Sequence, residues 1–488
     1  MDTLVPTPFS SFYGYMRESR KIKVLHIAWG FIPWRGGGLI QYAEDLMDHQ
    51  LQNDYSVYYF CAGRKYPFSR ETKLVSWLRK GINCFEIINS PIIHGGDFGT
   101  LRPDLDIFEP ISETYFREVL DKVRPNIIHI HELAGLPSSL IDIAKKDYNL
   151  PVLMTLADYN LICPTLKLFT REEKKCNSFE VGESCLECCS KAFFDNRRDV
   201  VETVLLPFSN KFLNRYAPRR MLCCLLQFLG ALQNAYKDDT FAVSVTRSDA
   251  YQLRRDINVS RLKKLDLLIA RTKKVSDIYK YYLGDEVNIK IINPTLRHIN
   301  YIEYSTVRIS DRLRFVTLNG LSSIQKGGQL LLDAIKLLQK KGLTEKFELF
   351  VCGNVDKRLS KEVNKFKNVI CVGPYDVNTL NRLLEGMHVG LIPSIWEEVF
   401  GYVGIEMLAK GLPLVANNVG GIPDYAKDGL NSFINYELTA EGFATIMEKL
   451  INNPAVVVKL SENISKERKI SYQEHFSKIK EAYASIVR

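Results

Sequence analysis

Two glutamates, Glu398 and Glu406, stand with seven residues between them, and the residues around them define the chemistry they could do. Glu398 follows an apolar run and the pair Pro393-Ser394. Glu406 lies in a helical pattern that begins near Tyr402. A helix start offers unpaired N–H groups and a positive dipole end, which suits a diphosphate. Glu406, about one turn in, can accept two hydrogen bonds from ribose hydroxyls, and Glu398, on the loop before the helix, can reach a sugar hydroxyl. Lys326-Gly327, six residues after Gly320 at another strand-to-helix turn, places a cation where a diphosphate would sit. Gly420-Gly421-Ile422-Pro423-Asp424 supplies tight backbone turns after a further strand. A lone pair of glutamates would ordinarily be two solvated carboxylates; these neighbours argue for a ligand site.

The first half carries weaker signals. Gly36-Gly37-Gly38 is a glycine turn between an apolar strand and a helix. His129 and His131 end a strand and share one of its faces, because strand side chains alternate. They could bind metal, line a cleft or hydrogen-bond locally, and His131 or Glu132 could contact an acceptor. Asp158 sits in the loop after residues 152–156, where an N-cap role competes with a polar role near an acceptor. Cys163, Cys176, Cys185, Cys188 and Cys189 fall within 27 residues. Cys163, Cys176, Cys185 and Cys188 could give four thiolates to a structural zinc, with Cys185-x-x-Cys188 as the knuckle; another metal, or free or redox-linked thiols, are the alternatives. Asp104-Leu105-Asp106 is set aside as a common acidic pattern in a loop.

Positioning these residues takes two sets of α/β elements. Residues 23–29 (KVLHIAW) form a short apolar run that suits a buried parallel strand, and a helical pattern follows the glycine turn. Further strands are expected at 56–61, 126–131 and 152–156, with a helix at 138–146. The rhythm breaks over 163–239, which holds the cysteines and then a basic amphipathic stretch, and resumes at 241–245 and 287–292. A polar segment at 298–311 reads as a linker. A second set has strands at 313–318, 347–352, 369–372, 389–392 and 414–416, helices at 329–338 and 405–409, and a closing helix at 472–487. The expected fold is α/β with two doubly wound domains facing across a cleft, where open sheets bind ligands at strand carboxyl ends. The boundaries are 21–300, with the insert 163–239; 310–470; and 471–488, a helix crossing back to the N-terminal domain.

Composition is that of a globular protein: of 488 residues, 46% are hydrophobic and 25% charged. The net charge of +9 permits an anionic ligand or an anionic membrane surface, and no block of like charge reads as a nucleic-acid tail. The first twenty residues lack the apolar core of a signal peptide, and no apolar run approaches the roughly twenty residues that a membrane span requires. The expected place is the cytoplasm, where clustered cysteines bind metal more often than they form disulfides. The basic amphipathic stretch of the insert, with Arg197, Arg198, Arg219 and Arg220 among its cations, would suit the inner face of a membrane, or simply a solvated helical face.

Residues 391–424 (LIPSIWEEVFGYVGIEMLAKGLPLVANNVGGIPD) resemble the donor site of retaining glycosyltransferase family 4, with the GT-B fold. That pattern is Pro-Ser, Glu-x-Phe-Gly, a glutamate after seven residues, Gly-x-Pro and Gly-Gly-x-Pro-Glu/Asp, and each piece occurs here in order. The resemblance implies that Glu406 binds the nucleotide ribose and that Glu398 contacts the donor sugar. It also implies that the amides of Phe400, Gly401, Tyr402 and Val403 hold diphosphate or sugar, and that Lys326 is the pyrophosphate cation. Gly37 and Gly38 resemble the loop that approaches donor phosphates and acceptor. Residues 154–164 (MTLADYNLICP) resemble a segment whose histidine points at the reacting centre; here that position is Ala157, leaving Asp158. Arginine often follows the glycine at Gly320 in the family, and here Leu321 does.

The implied activity is transfer of a sugar, with retention, from a UDP-, GDP- or ADP-sugar to a saccharide or lipid-linked acceptor, in cell-surface polysaccharide biosynthesis. No catalytic metal is needed, since Lys326 and helix amides can offset the leaving charge. Ala157 and Leu321 motivate a second reading, a catalytically weak sugar-nucleotide-binding or scaffold protein. A phosphorylase or epimerase of the same fold is a third.

Overall fold

The computed structural model describes residues 21–31, 35–64, 69, 71–92, 99–170, 174–176, 181–190, 248–309, 311–467 and 471–487. Two open sheets carry the architecture. The first contains β1 (Ile22–Ile27), β2 (Tyr55–Ala62), β3 (Lys73–Arg79), β4 (Ile82–Ile88), β5 (Ile127–Ile130), β6 (Val152–Leu156), β7 (Leu267–Ala270) and β8 (Ile289–Ile291). Its order is β3-β4-β2-β1-β5-β6-β7-β8, parallel except for the antiparallel edge pair β3–β4. The second contains β9 (Leu313–Thr317), β10 (Phe347–Cys352), β11 (Val369–Gly373), β12 (Val389–Ile392), β13 (Leu414–Asn417) and β14 (Ser432–Asn435). Its order is β11-β10-β9-β12-β13-β14, all parallel.

Both orders reverse direction once, between β1 and β5 in the first sheet and between β9 and β12 in the second. Such switch points leave a crevice outside the strand carboxyl ends, where a ligand can enter. The strands at and beside them, β5, β6, β12 and β13, are buried along their whole length, which is why they read as short, mostly apolar runs. Edge strand β3 alternates instead between half-buried and exposed positions.

Several boundaries differ from the sequence expectation. The expected strand at 241–245 lies outside the described residues, and β7 enters the sheet beside β6 at Leu267–Ala270. The expected helix at 138–146 is one short turn, Leu140–Asp142, followed by a π-helical turn, Ile143–Asp147. The polar segment at 298–311, expected as a linker, is partly packed. It opens with a 3-10 turn, Arg297–Tyr301, and then buries Ile302 and Val307 in the second domain's core.

The chain crosses back at its end. Ser471 caps the helix Tyr472–Ala484, its side chain accepting from the amide of Glu474, a Ser-x-x-Glu start. Tyr472, Phe476, Ile479, Ala482 and Tyr483 are buried in one cluster with Val24, Ala43 and Met47 of the first domain. The Tyr472 hydroxyl donates to the Asp45 carbonyl at 2.6 Å. No helix among the described residues is long and apolar enough to cross a membrane.

Candidate functional site

The helix Tyr402–Lys410 leaves the β12 side of the second switch point. Gly401 begins it in the left-handed region, at φ 81°, and no side chain caps its first amides. The amides of Tyr402 and Val403 have no acceptor within the helix and form an anion-directed end, while that of Gly404 donates to the Gly401 carbonyl at 3.0 Å. The preceding loop is pinned to both domains. Val399 is buried in the first domain's core, and Trp396 packs against it. The Val399 carbonyl accepts from Thr272 Oγ1 at 3.2 Å, and Asp424 Oδ2 accepts from the amide of Lys273 at 2.9 Å. The Gly-Gly-Ile-Pro-Asp turn supports the loop from behind, with the amide of Gly421 donating to the Glu398 carbonyl at 2.6 Å.

Glu398 and Lys326 meet directly. Lys326 Nζ lies 2.6 Å from Glu398 Oε1, which also accepts from Ser394 Oγ at 2.8 Å. The Glu398 side chain is 5% exposed and that of Lys326 26%, so the ammonium is the outward partner. The 3-10 turn Ile324–Lys326 holds the lysine there, and the amide of Ile395 donates to the Gln325 carbonyl at 3.0 Å. Leu321 is buried in the second domain's core, so no cation reaches the site from that turn.

Glu406 is buried on the helix's inner face. Its Oε1 lies 2.7 Å from His298 Nε2, and its Oε2 is buried without a partner. One carboxylate oxygen is therefore engaged and one is not.

The first domain closes over this helix. Gly38 packs against the Tyr402 ring so closely that a side chain there would collide with it, which is the local need for glycine at that position. Under this contact lies a polar stack at the β1–β5 switch point. The rings of His129 and His131 stack at 4.0 Å between centroids, and His26 stacks on His131 at 5.3 Å. Gln50 Nε2 donates to the Tyr483 hydroxyl, so Gln50 Oε1 accepts from His26 Nε2 at 2.7 Å. His26 Nδ1 then accepts from His131 Nε2 at 3.0 Å, and His131 Nδ1 is left as a buried lone pair without a partner. Tyr483 donates to His129 Nδ1 at 2.7 Å, and His129 Nε2 donates to Thr155 Oγ1 at 2.8 Å. Burial lowers all three imidazoles, His26 to about 4 and the other two well below the usual value. These are the one group of three His, Cys, Asp or Glu ligand atoms within 4.8 Å of one another among the described residues. The rings stack instead of converging, and five of their six nitrogens already have partners.

Glu132 and Asp158 extend from β5 and β6 at the same edge. Burial, then the neighbouring Asp158, pushes Glu132 well above the carboxylate range. Burial raises Asp158 to about 6, opposed by the Asn160 amide and by Arg271. Asp158 Oδ1 accepts from that amide at 2.8 Å, so the aspartate also shapes its own turn.

The expected zinc set is not assembled among the described residues: no cysteine joins a group of metal-ligating atoms. Cys185 and Cys189, one turn apart on the helix Glu183–Cys189, pack with Tyr251. Burial holds both thiols above their ordinary value. Cys163 Sγ instead lies 3.3 Å from Thr165 Oγ1. Residues 191–239 of the insert, with the basic amphipathic stretch, lie outside the described residues. The segment before them reaches the site: Lys175 Nζ pairs with Glu397 Oε1 at 2.9 Å.

Residues 309–469 match the family model described as Glycosyl transferases group 1. The D-inositol 3-phosphate glycosyltransferase of Corynebacterium aurimucosum is 23% identical over 256 residues, 48% of this chain and 58% of that protein. The chain thus spans little more than half the length of that curated relative. Sucrose-phosphate synthase from Thermosynechococcus elongatus superposes with a TM-score of 0.60 at 15% identity, over 95% of this chain and 99% of that one. Anabaena HepE, solved in complex with UDP and glucose, superposes with a TM-score of 0.57 at 14% identity, over 95% and 100%. This is a GT-B fold. At these identities the likeness speaks to the fold alone.

Of the residues singled out from the sequence, Lys326, Glu398, Glu406 and Phe400 to Val403 belong to the second domain, and Gly37, Gly38, His131 and Asp158 to the first. Sequence reasoning missed His298 and Arg271. His298 was read as linker. Arg271 carried one usable signal, a charged residue directly after the apolar run Leu267–Ala270 and hence at the carboxyl end of a buried strand.

Proposed function

We propose that this chain is a retaining glycosyltransferase of the family 4 type. It moves a sugar from a nucleotide-sugar to a saccharide or lipid-linked acceptor, in the making of cell-surface polysaccharide. One observation carries the reading: an uncapped helix N-terminus, the Lys326–Glu398 pair and the half-satisfied carboxylate of Glu406 gather at one switch point and face the glycine turn of the other domain. The match of residues 309–469 to group 1 glycosyl transferases, and the UDP and glucose bound by Anabaena HepE, agree with it.

In this reading Glu406 Oε2 takes a ribose hydroxyl and Glu398 holds the donor sugar. Lys326 turns outward to the diphosphate as the sugar–phosphate bond breaks, and the helix amides share that charge. The acceptor hydroxyl attacks from the face the diphosphate leaves, and its proton passes to the leaving oxygen. Asp158 and the His131 lone pair orient the acceptor. Incubation with UDP-, GDP- and ADP-sugars tests this. One of them should raise the melting temperature, and with an accepted sugar should yield a product whose anomeric configuration matches the donor's. Free phosphate consumption, an epimerised donor, or binding without turnover across varied acceptors would each reject it.

A further inference from the structure

Arg271, the residue after β7, is buried at 3% exposure. Its guanidinium carbon lies 4.9 Å from the ring centroid of Tyr42 and 5.6 Å from that of Tyr402. Nε and Nη2 are buried and reach no hydrogen-bond acceptor among the described residues. A guanidinium cannot shed its proton, so two unmatched N–H groups at this depth are costly unless an anion answers them. The surroundings point to an anion from the direction of the helix start and offer no counter-charge of their own. Tyr402 is the first residue of the uncapped helix Tyr402–Lys410, whose amides seek negative charge. Gly38, on the glycine turn, lies directly against the Tyr402 ring. The histidines around the guanidinium, His129, His131 and His475, are held neutral by burial, and none supplies a counter-charge. Asp158, the carboxyl whose ionisation Arg271 favours, is itself pushed up by burial and engaged with Asn160.

We propose that Arg271 is a phosphate-binding residue for the nucleoside diphosphate part of the donor. The first domain would thereby supply a cation opposite Lys326 of the second, and the ligand would be gripped from both sides. This inference rests on the nucleotide-sugar reading. An arginine aimed at phosphate donates directed N–H bonds that lysine reproduces only in part.

The experiment compares the full-length chain with Arg271→Gln and Arg271→Lys. Titrations use ADP, GDP and UDP, the matching nucleosides, and glucose 6-phosphate as a phosphorylated acceptor probe. Wild type should bind one nucleoside diphosphate. Arg271→Gln should weaken that binding at least tenfold and leave the matching nucleoside within about twofold, and Arg271→Lys should fall between. A purely structural clamp would lower both affinities together, or neither. Equal diphosphate affinity in all three proteins would overturn the proposal, as would a loss confined to glucose 6-phosphate. Should Arg271→Gln fail to fold, Arg271→Lys decides alone: diphosphate affinity equal to wild type overturns the proposal, and a severalfold loss with the nucleoside unchanged supports it. Glu406→Gln separates the two claims. If wild type binds no diphosphate, or if Glu406→Gln does not weaken its binding, the nucleotide-sugar reading fails. If only the Arg271 variants bind normally, this inference alone fails.

Discussion

Replacing Glu406 by glutamine tests the proposed donor site most directly, because the carboxylate's two oxygens have different fates. Oε1 is held by His298 Nε2 at 2.7 Å, whereas Oε2 is buried with no partner. A ribose hydroxyl can therefore donate to Oε2 without displacing anything. A second hydroxyl must compete with His298 for Oε1. The net gain is closer to one charge-assisted hydrogen bond than to two, about 2–3 kcal/mol. Glutamine keeps the shape and one carbonyl oxygen but loses the charge and the second acceptor. We expect nucleoside diphosphate affinity to fall roughly 30- to 150-fold. The assay is calorimetric titration at constant salt, with unliganded melting curves to verify the fold. His298→Ala is the companion. It releases Oε1 and should weaken binding less, because both oxygens then become available to the ribose. Glu406→Gln within twofold of wild type, on an unchanged melting curve, would refute the placement of the ribose.

Three further outcomes follow from the same geometry. Lys326→Met leaves the buried Glu398 with only Ser394; breaking such a pair costs about 3–5 kcal/mol when both members are buried, and about half that here because the ammonium is a quarter exposed. The double variant Lys326→Met/Glu398→Gln should recover stability in urea titration without recovering ligand binding, and recovery of both would deny Lys326 its role. Gly327→Ala should destabilise the protein by more than about 1–3 kcal/mol, since φ is 73° and a methyl would run into the Pro393 carbonyl; normal expression and melting would contradict that close approach. The His26 imidazole is lowered by burial to about 4, so its contribution to stability is present above the unfolded value near 6.5 and is lost as pH falls toward 4, a span worth about 3 kcal/mol. His26→Gln should flatten that acid limb in denaturant titrations at stepped pH, and an unchanged limb would remove His26 as its source.

Much of the fold was legible because buried parallel strands are written as short, mostly apolar runs. β1, β5, β6, β10 and β12 were found that way. β3 was not, because an edge strand with one wet face, Lys73–Arg79, resembles a loop in composition. β7 was not among the expected strands, because Leu267–Ala270 is only four residues long and follows a strongly polar helix. The zinc expectation relied on spacing, which puts Cys185 and Cys188 on one helix but cannot say which neighbour turns inward; the packed pair is Cys185 and Cys189.

The site divides in the same way. Sequence alone determined the local frame of the wall proposed for the donor, Pro393 to Asp424, because a strand, a turn and a helix start place their own side chains within a few residues. It also determined the chemistry that wall could do, since carboxylates, an ammonium and uncapped amides carry their properties with them. Only the tertiary structure decided what each group faces. Lys326 meets Glu398 across 72 positions, His298 meets Glu406 across 108, and Arg271 meets Tyr402 from the other domain. Such pairings depend on how two independently wound sheets dock, which is set by the summed packing of both cores and of the returning helix, and no local spacing encodes it.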